Sequence, residues 1–439
     1  MCKCAFVLLI LVLLVCALPA AAQDEDAVIC PGSPPVRLTA GEMGRVTPGS
    51  GNRLRDQPTT AGAEVGFIPG GAAFTVLAGP VCADDFAWWQ VAYGDVTGWT
   101  VEGSDADYWL EPVDLVFASW VSGESKLMAL DDQGGNVVDL GEPGVFQMMP
   151  SVSPDGSRIA YLAEMPDGGS QLRVMSLAGG DAQVLDSGLE HGYGGFVWSP
   201  DGAQIAFTLD TDRGIEADNM NIYVIAADGG QRRALTSGTI EHSNVSWSPD
   251  GSQLAFAANT DDTRLQLHLL DVASGEVRPI LAEGYSIGRP VWSPDGSALA
   301  FSAAMPDAPP GGSAQVFVIN ADGSDFHQLT WAGLHASSAV WSPDSSHLAF
   351  IAAPNSAAKL FTVHVDGSDL RQLTDNDASE ACPAWSPDGS QLAFTSDPDG
   401  PRGEARSDVY VVNTDGSDLR QLTDNDRREE CPLTWVTRQ

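Results

Sequence analysis

The stretch Trp247-Ser-Pro-Asp-Gly-Ser-Gln-Leu-Ala-Phe256 decides the fold, because close copies of it recur along the chain. The other copies begin at Val152, Trp198, Trp292, Trp341 and Trp385. In each copy, proline presets φ for a tight turn, aspartate caps the turn through its side chain, and the residue after it, usually glycine, takes a positive φ. The alternating apolar residues that follow predict a short, half-buried strand after each turn.

The four tryptophan copies that follow Trp198 are spaced 44 to 49 residues apart. Each unit continues with a third strand such as Asn221–Val224, a second turn such as Asp366-Gly367, and a fourth strand such as Arg371–Thr374. Four antiparallel strands at this period are typical of a propeller blade.

The two ends of the repeat region complement each other. Val116-Phe-Ala118 reads as a second strand with no first strand before it, and Cys431-Pro-Leu-Thr-Trp435 reads as a first strand with no unit behind it. A ring without an exposed edge needs its ends to share one unit. The sequence therefore predicts an all-β fold whose residues 114–436 form a seven-bladed β-propeller closed by the C-terminal strand.

The repeat at residues 247–256 and 385–394 resembles that of TolB-like propellers, and the resemblance covers residues 114–436. The resemblance is highly specific for the fold. It is poorly specific for the function, because such repeats occur in binding scaffolds, in peptidase gating domains and in partners of cell-envelope lipoproteins. TolB itself carries an α/β domain ahead of six blades. This sequence shows neither feature, so the resemblance does not imply the Tol-Pal role.

Residues 33–112 contain short apolar segments separated by glycine and proline turns, which predict a small β-barrel. The order of Arg55-Asp-Gln-Pro58, Val65-Gly66 and Gly98-Trp99 resembles the bacterial SH3-like domain. That resemblance implies binding of cell-wall peptide or glycan. Two roles stay open for the domain's aromatic residues, a ligand groove or the filling of a small core: Trp88, Trp89, Trp99, Tyr108 and Trp109.

Residues 1–22 read as a secretory signal peptide, with Lys3, an apolar run and Ala20-Ala-Ala22 before a short linker at residues 23–32. Two alternatives remain, a retained membrane anchor and a lipoprotein cysteine at Cys16. Removal of the segment leaves four cysteines, an even number that indicates two disulfides in an exported protein. Their positions favour the pairs Cys30–Cys82 and Cys382–Cys431, with free thiols as the alternative for the second pair.

The formal net charge is −37, from 59 acidic and 22 basic residues spread along the chain. Such a surface disfavours nucleic acid and anionic lipid. It suits cationic partners or Ca²⁺, although an acidic surface also serves solubility alone.

Variable connections between units gather polar residues at one end of the predicted propeller, where function in repeat proteins tends to lie. The candidate ligand-binding residues there are His191, His242, His335, Asp375 and Asp377. Three histidines with carboxylates point to a transition metal or Ca²⁺, but none has tight ligand spacing, and polar loop ends at blade junctions are the alternative.

We found no nucleophile, zinc or phosphate-loop motif. The sequence therefore predicts an extracytoplasmic binding or scaffold protein without an enzymatic activity or a cofactor. In this reading the SH3-like domain docks on wall material and the propeller holds an envelope protein or glycan. The alternative is a metal-dependent hydrolase or lactonase that uses the channel mouth.

Overall fold

A computed structural model describes residues 30–41, 43–47, 51–70, 72–104, 107–108, 110–121, 123–131, 134, 137–142, 144–166, 168–177, 181–189, 193–210, 220–237, 242–259, 265–281, 285–304, 314–331, 333–354, 357–398, 406–424 and 427–436. The predicted signal peptide and residues 23–29 of the linker lie outside these ranges. No helix in the described ranges is long and apolar enough to cross a membrane.

The N-terminal strands form a seven-stranded antiparallel sheet, in the order β3-β2-β6-β5-β4-β1-β9, and a two-stranded sheet of β7 and β8. The strands are β1 (Met43–Val46), β2 (Asn52–Arg55), β3 (Glu64–Ile68), β4 (Ala73–Ala83), β5 (Phe86–Tyr93), β6 (Val96–Val101), β7 (Gly103–Ser104), β8 (Asp107–Tyr108) and β9 (Leu110–Pro112). Leu54, Phe74 and Val91 lie in their core. Buried Glu102 accepts hydrogen bonds from the backbone N–H of Arg37 and from the Trp89 indole, both at 2.7 Å, and so ties the segment before β1 to this core.

In the described ranges, seven further sheets follow in chain order, and we number them 1 to 7. Sheet 1 holds β10 (Leu115–Val121), β11 (Glu124–Leu130), β12 (Val138–Asp139) and, from the C-terminus, β38 (Arg428–Trp435). Sheet 2 holds β13 (Phe146–Val152), β14 (Arg158–Glu164), β15 (Ser170–Ser176) and β16 (Gln183–Leu189). Sheet 3 holds β17 (Tyr193–Trp198), β18 (Gln204–Asp210), β19 (Met220–Ala226) and β20 (Arg233–Ala234). Sheet 4 holds β21 (His242–Trp247), β22 (Gln253–Asn259), β23 (Leu265–Asp271) and β24 (Val277–Pro279).

Sheets 5 to 7 complete the series. Sheet 5 holds β25 (Ser286–Ile287) and β26 (Val291–Trp292), which both pair with β27 (Ala298–Ala304), then β28 (Ala314–Asn320) and β29 (His327–Gln328). Sheet 6 holds β30 (Ser337–Trp341), β31 (His347–Ala352), β32 (Lys359–His364) and β33 (Arg371–Gln372). Sheet 7 holds β34 (Ser379–Trp385), β35 (Gln391–Asp397), β36 (Asp408–Asn413) and β37 (Arg420–Gln421). The innermost strands contact one another in a closed series, from β13 through β17, β21, β26, β30, β34 and β38 back to β13, and so surround a central channel.

The predicted turns join the first and second strands of a sheet through a fixed hydrogen-bond pattern. In sheet 4, the Ser248 hydroxyl donates to Asp250 Oδ1 at 2.6 Å, and the same oxygen accepts the backbone N–H of Ser252 at 3.0 Å. Gly251 has a φ of 71°, whereas Ser345 holds a φ of 61° in the one copy that lacks glycine. The local hydrogen bonds therefore set the turn even where the residue type disfavours it.

Four of the repeated tryptophans, in sheets 3, 4, 6 and 7, join their own sheet to the one before it. The indole N–H of Trp341 donates to the carbonyl of Val291 at 3.1 Å, and that of Trp385 donates to Val340 at 3.1 Å. Trp198 and Trp247 make the same bond in sheets 3 and 4. Trp292 differs, because its buried Nε1 has no acceptor among the described residues. The motif residue is thus both a core side chain and a polar link between sheets.

The C-terminal strand completes the first sheet, as the sequence predicted. Leu115 in β10 lies opposite Trp435 in β38, and the N–H of Val436 donates to the carbonyl of Asp114 at 2.8 Å. The Trp435 indole donates to Ala384 of sheet 7 at 3.0 Å. Sheet 1 therefore unites the two ends of the repeat region and contacts the last repeat.

Both predicted disulfides are present, with Cα–Cα distances of 5.2 Å for Cys30–Cys82 and 5.7 Å for Cys382–Cys431. Cys30–Cys82 attaches the N-terminal segment to β4. Cys382–Cys431 joins the innermost strands of sheets 7 and 1, so it covalently reinforces the closure.

Candidate functional site

The propeller has two different ends. We call the end with the Ser-Pro-Asp turns the turn face, and the end with the connections from second to third strands and from one sheet to the next the loop face. The contacts of the N-terminal strands with the propeller lie at the turn face, where the N–H of Val113 donates to Met43 and Arg37 lies 3.9 Å from Asp131. Met43 and Ala73 pack there against apolar residues of sheets 1 and 2. These contacts cover part of the turn face.

A threonine at the end of the fourth strand anchors the loop face in several sheets. The hydroxyl oxygens of Thr236, Thr330 and Thr423 accept the N–H of a third-strand residue, each at 2.9 Å. Each hydroxyl donates to the side chain just before that residue: Asn221 at 3.2 Å, Gln315 at 2.9 Å and Asp408 at 2.9 Å. Because the arrangement repeats, we assign this threonine to the scaffold.

Sheet 6 carries a cation where those sheets have an amide or a carboxylate. Lys359 is buried, and its ammonium donates to Asn376 Oδ1 at 2.9 Å and to the carbonyl of Ala378. Glu380 of the next sheet lies 3.8 Å from the same ammonium. Glu380 also accepts hydrogen bonds from the N–H of Leu360, at 2.8 Å, and from the Thr374 hydroxyl.

This Lys359 network fixes the loop above it. Burial raises the pKa of Glu380, and hydrogen bonding by Thr374 and the charge of Lys359 oppose that rise. The network uses Asn376 and Glu380 internally, whereas Asp375 and Asp377 are exposed on either side of Asn376. The two predicted aspartates lie outside this network, and a role for them in ligand binding stays a prediction.

One opening among the described residues lies where sheet 7 meets sheet 1, and we call it the closure cleft. It has a volume of about 750 Å³ and is lined by Ser119, Glu124, Lys126, Met128, Gly134, Val137, Asp139, Gln421, Leu422, Thr423, Asp424 and Arg427. Residues from opposite ends of the propeller sequence therefore form one concave surface.

Charges of both signs line the closure cleft. Lys126 donates to Asp139 at 2.8 Å, and that hydrogen bond and charge raise the pKa of the lysine. Burial, followed by the charges of Asp408 and Asp424, raises the pKa of nearby Tyr410. The negative potential near sheet 7 and the cations Lys126 and Arg427 suit a ligand surface that carries both signs of charge.

Two residues of the predicted aromatic groove are core residues. Trp88 and Trp89 are each 2% exposed, and their indoles donate to the carbonyl of Ala83 at 2.9 Å and to Glu102 at 2.7 Å. Both faces of β5 are covered at this point, so neither ring can line an exposed groove. Trp99 is half-buried, and Trp109 lies outside the described residues.

The predicted histidines are only partly described. His191 and the side chain of His242 lie outside the described residues, and His335 is exposed with a φ of 50°. The described residues include no group of three His, Cys, Asp or Glu side chains placed to hold a metal ion. A metal at the channel mouth stays a prediction.

Sequence reasoning missed Lys126, Asp139 and Arg427 of the closure cleft and also Lys359. A signal for Lys359 was available, since alignment of Lys359-Leu-Phe361 with Asp408-Val-Tyr410 places a lysine where the neighbouring repeat has an acid. The cleft had no local signal, because its two walls meet only when the ends of the repeat region come together.

The family model of the TolB beta propeller domain matches residues 115–308, 246–356 and 334–435. Together these segments cover more than half of the chain, and the chain belongs to the TolB β-propeller domain family. A protein TolB homolog of Chlorobaculum tepidum is 32% identical over 124 residues, which are 28% of this chain and 27% of that protein. The chain thus spans about a quarter of the length of this relative.

Two solved structures share the fold at low sequence identity. An oligogalacturonate lyase in complex with manganese has a TM-score of 0.53 and 19% identity, over 71% of this chain and 85% of that one. The β-propeller domain of the Trilobed protease from Pyrococcus furiosus has a TM-score of 0.54 and 9% identity, over 71% and 95%. That propeller is described as having an open velcro topology, whereas here β38 pairs with β10. The shared fold is compatible with a binding protein and with an enzyme.

Proposed function

We propose that the protein is an exported binding scaffold of the cell envelope whose propeller holds a partner protein at the closure cleft. In this proposal the seven sheets are seven blades of one closed ring, and the N-terminal strands form an SH3-like domain that docks on wall glycan or peptide. The two disulfides support an oxidising, extracytoplasmic location.

The closure cleft is the observation that carries the proposal. It lies between sheets 7 and 1, which the pairing of β38 with β10 and the Cys382–Cys431 disulfide hold together. A concave surface on a rigid support binds without a large cost in ordering its own residues. The mixed charges favour selection of a protein surface with complementary charges over simple apolar adhesion.

Charge reversal in the cleft tests the proposed partner site. We expect Lys126→Glu/Arg427→Glu to reduce retention of the partner from an envelope extract by roughly tenfold or more. The matched control is Arg233→Glu/Arg278→Glu, which makes the same charge change on outer strands away from the cleft. Equal retention by both double variants and the parent chain contradicts the assignment of the cleft.

The N-terminal strands present their own contact surface. Val65 and Phe67 point to the same side of edge strand β3 and are 43% and 48% exposed. We expect Val65→Ser/Phe67→Ser to weaken co-sedimentation of the full chain with purified cell-wall sacculi. The control Leu77→Ser removes an equally exposed apolar side chain, 45%, from β4. Unchanged sedimentation of the β3 variant contradicts wall docking through this strand and leaves the cleft test unaffected.

A further inference from the structure

A recurring irregularity interrupts the innermost strands around the central channel. The strand register shifts between Met148 and Ser151, between Ser337 and Val340, and between Ala381 and Ala384. At these bulges Met149, Ser338 and Cys382 have φ values of 54°, 56° and 57°. Bulges redirect a side chain out of the regular alternation of a strand. We call these equivalent positions the bulge ring.

Arg289 occupies the position of the bulge ring in sheet 5. It lies between β25 and β26, three residues before Trp292, as Ser338 lies before Trp341 and Cys382 before Trp385. Its side chain is exposed to solvent, yet burial among protein atoms lowers the pKa of its guanidinium. A side chain that solvent reaches and protein surrounds has the environment of a narrow, water-filled channel.

Arg289 forms no hydrogen bond or ion pair with any residue that the structure describes. Other arginines of this acidic chain have carboxylate partners, such as Arg173 with Glu142 at 2.6 Å and Arg232 with Asp186 at 2.8 Å. The other positions of the bulge ring named above, Met149, Ser338 and Cys382, are uncharged. A guanidinium that protein atoms surround, with no counter-charge among the described residues, gains an ion pair when a ligand supplies a carboxylate.

We propose that Arg289 binds a carboxylate group inside the central channel, with the Ser338 hydroxyl of the adjacent sheet as a second donor. The planar guanidinium matches a carboxylate with two parallel hydrogen bonds, and this pairing strengthens where protein limits solvent screening. Ser338 is exposed, and its innermost strand β30 contacts β26. A single cation beside neutral groups, in a chain of net charge −37, selects a single negative charge over a polyanion.

Titration calorimetry of the full chain at low ionic strength tests the site with four probes. Glucuronate and N-acetyl-alanyl-alanine carry the carboxylate on a sugar and on a peptide end, and glucose and the peptide amide are their neutral counterparts. We expect at least one carboxylate probe to bind, and its neutral counterpart to bind roughly tenfold more weakly or worse. Binding of glucuronate indicates that the natural carboxylate belongs to a sugar, whereas binding of N-acetyl-alanyl-alanine indicates that it belongs to a peptide end.

Variants then assign the binding to the guanidinium. Arg289→Gln is expected to lose roughly tenfold in affinity or more, and Arg289→Lys to retain part of it. Arg278→Gln, with the same change in net charge on an outer strand, is expected to bind like the parent chain. Equal binding of charged and neutral probes, absence of binding by both carboxylates, equal binding of inorganic phosphate, or unchanged binding by Arg289→Gln overturns the proposal.

Thermal melting of the ligand-free protein provides a second readout. Because the proposal leaves Arg289 without a protein counter-charge, Arg289→Gln is expected to melt at or above the temperature of the parent chain. A clear fall in the melting temperature, with Arg278→Gln unchanged, indicates a structural ion pair for Arg289 and overturns its assignment to a ligand.

Discussion

The Cα atoms of Cys382 and Cys431 lie 5.7 Å apart, and the disulfide between them joins the innermost strands of sheets 7 and 1. The loop that it closes spans 49 residues and contains most of sheet 7. The disulfide therefore restricts the conformations that the unfolded chain can adopt, at the point where the propeller is completed.

We expect Cys382→Ser/Cys431→Ser to lower the free energy of unfolding by about 4 kcal/mol in the chain-entropy description. Chemical denaturation measures the loss, and amide hydrogen exchange localises it to β38 and β10. Cys30→Ser/Cys82→Ser is the matched control, with a loop of 52 residues, and its faster exchange should lie in β4 and β5. Unchanged exchange in β38 after removal of Cys382–Cys431 contradicts its role in closure.

The repeated tryptophans allow a second prediction, because one of them lacks the hydrogen bond that the others make. Trp341→Phe keeps an aromatic ring but leaves the carbonyl of Val291 without the indole donor at 3.1 Å. Trp292→Phe removes a buried N–H that has no acceptor among the described residues. We expect denaturant titration to show about 1 kcal/mol more destabilisation for Trp341→Phe than for Trp292→Phe. The reverse order, or equal losses, contradicts the proposed link between sheets.

Strand order, turns and disulfides were accessible from sequence because they depend on local residue types and on repetition. Trp88 and Trp89 show the limit of that reasoning. Adjacent residues of a strand point to opposite faces, and only the three-dimensional arrangement shows that both faces of β5 are covered. The closure cleft was inaccessible for a related reason, since Lys126 and Arg427 become neighbours only through the pairing of β10 with β38.

The Lys359–Glu380 pair supports a third prediction. Removal of one partner leaves a buried charge, so Lys359→Gln and Glu380→Ala are each expected to destabilise the protein by about 3–5 kcal/mol. The double variant recreates the junction of sheets 5 and 6, where Gln315 and Ala336 occupy the equivalent positions. The double variant should therefore lose much less stability than the sum of the losses of the two single variants.

A double-mutant cycle by denaturant titration measures this coupling. The control is Lys126→Gln, which breaks an exposed ion pair of side chains that are 36% and 44% accessible, and should cost no more than about 1 kcal/mol. Additive losses at Lys359 and Glu380 contradict a coupled network at the loop face.

The fourth prediction concerns acid stability and the Ser-Pro-Asp turns. The Ser342 hydroxyl, followed by the backbone N–H of Ser346, lowers the pKa of Asp344 from its ordinary value of 3.8 to about 2. A carboxyl whose pKa is lower in the folded state stabilises the protein above pH 3.8, and that contribution is lost as the pH falls toward 2. Equivalent hydrogen bonds, from a serine hydroxyl and a backbone N–H of the same turn, also lower the pKa values of Asp201, Asp250 and Asp295.

We therefore expect Asp344→Asn to cost no more than about 1 kcal/mol at neutral pH, because the turn is largely exposed to solvent. The difference from the parent chain should shrink between pH 4 and pH 2, since the aspartate of the unfolded chain, whose pKa is near 3.8, becomes protonated before that of the folded protein. Denaturant titrations of both proteins at several pH values provide the measurement. A difference that stays constant down to pH 2 indicates that asparagine perturbs the turn through its shape alone, which contradicts a role for the carboxylate charge.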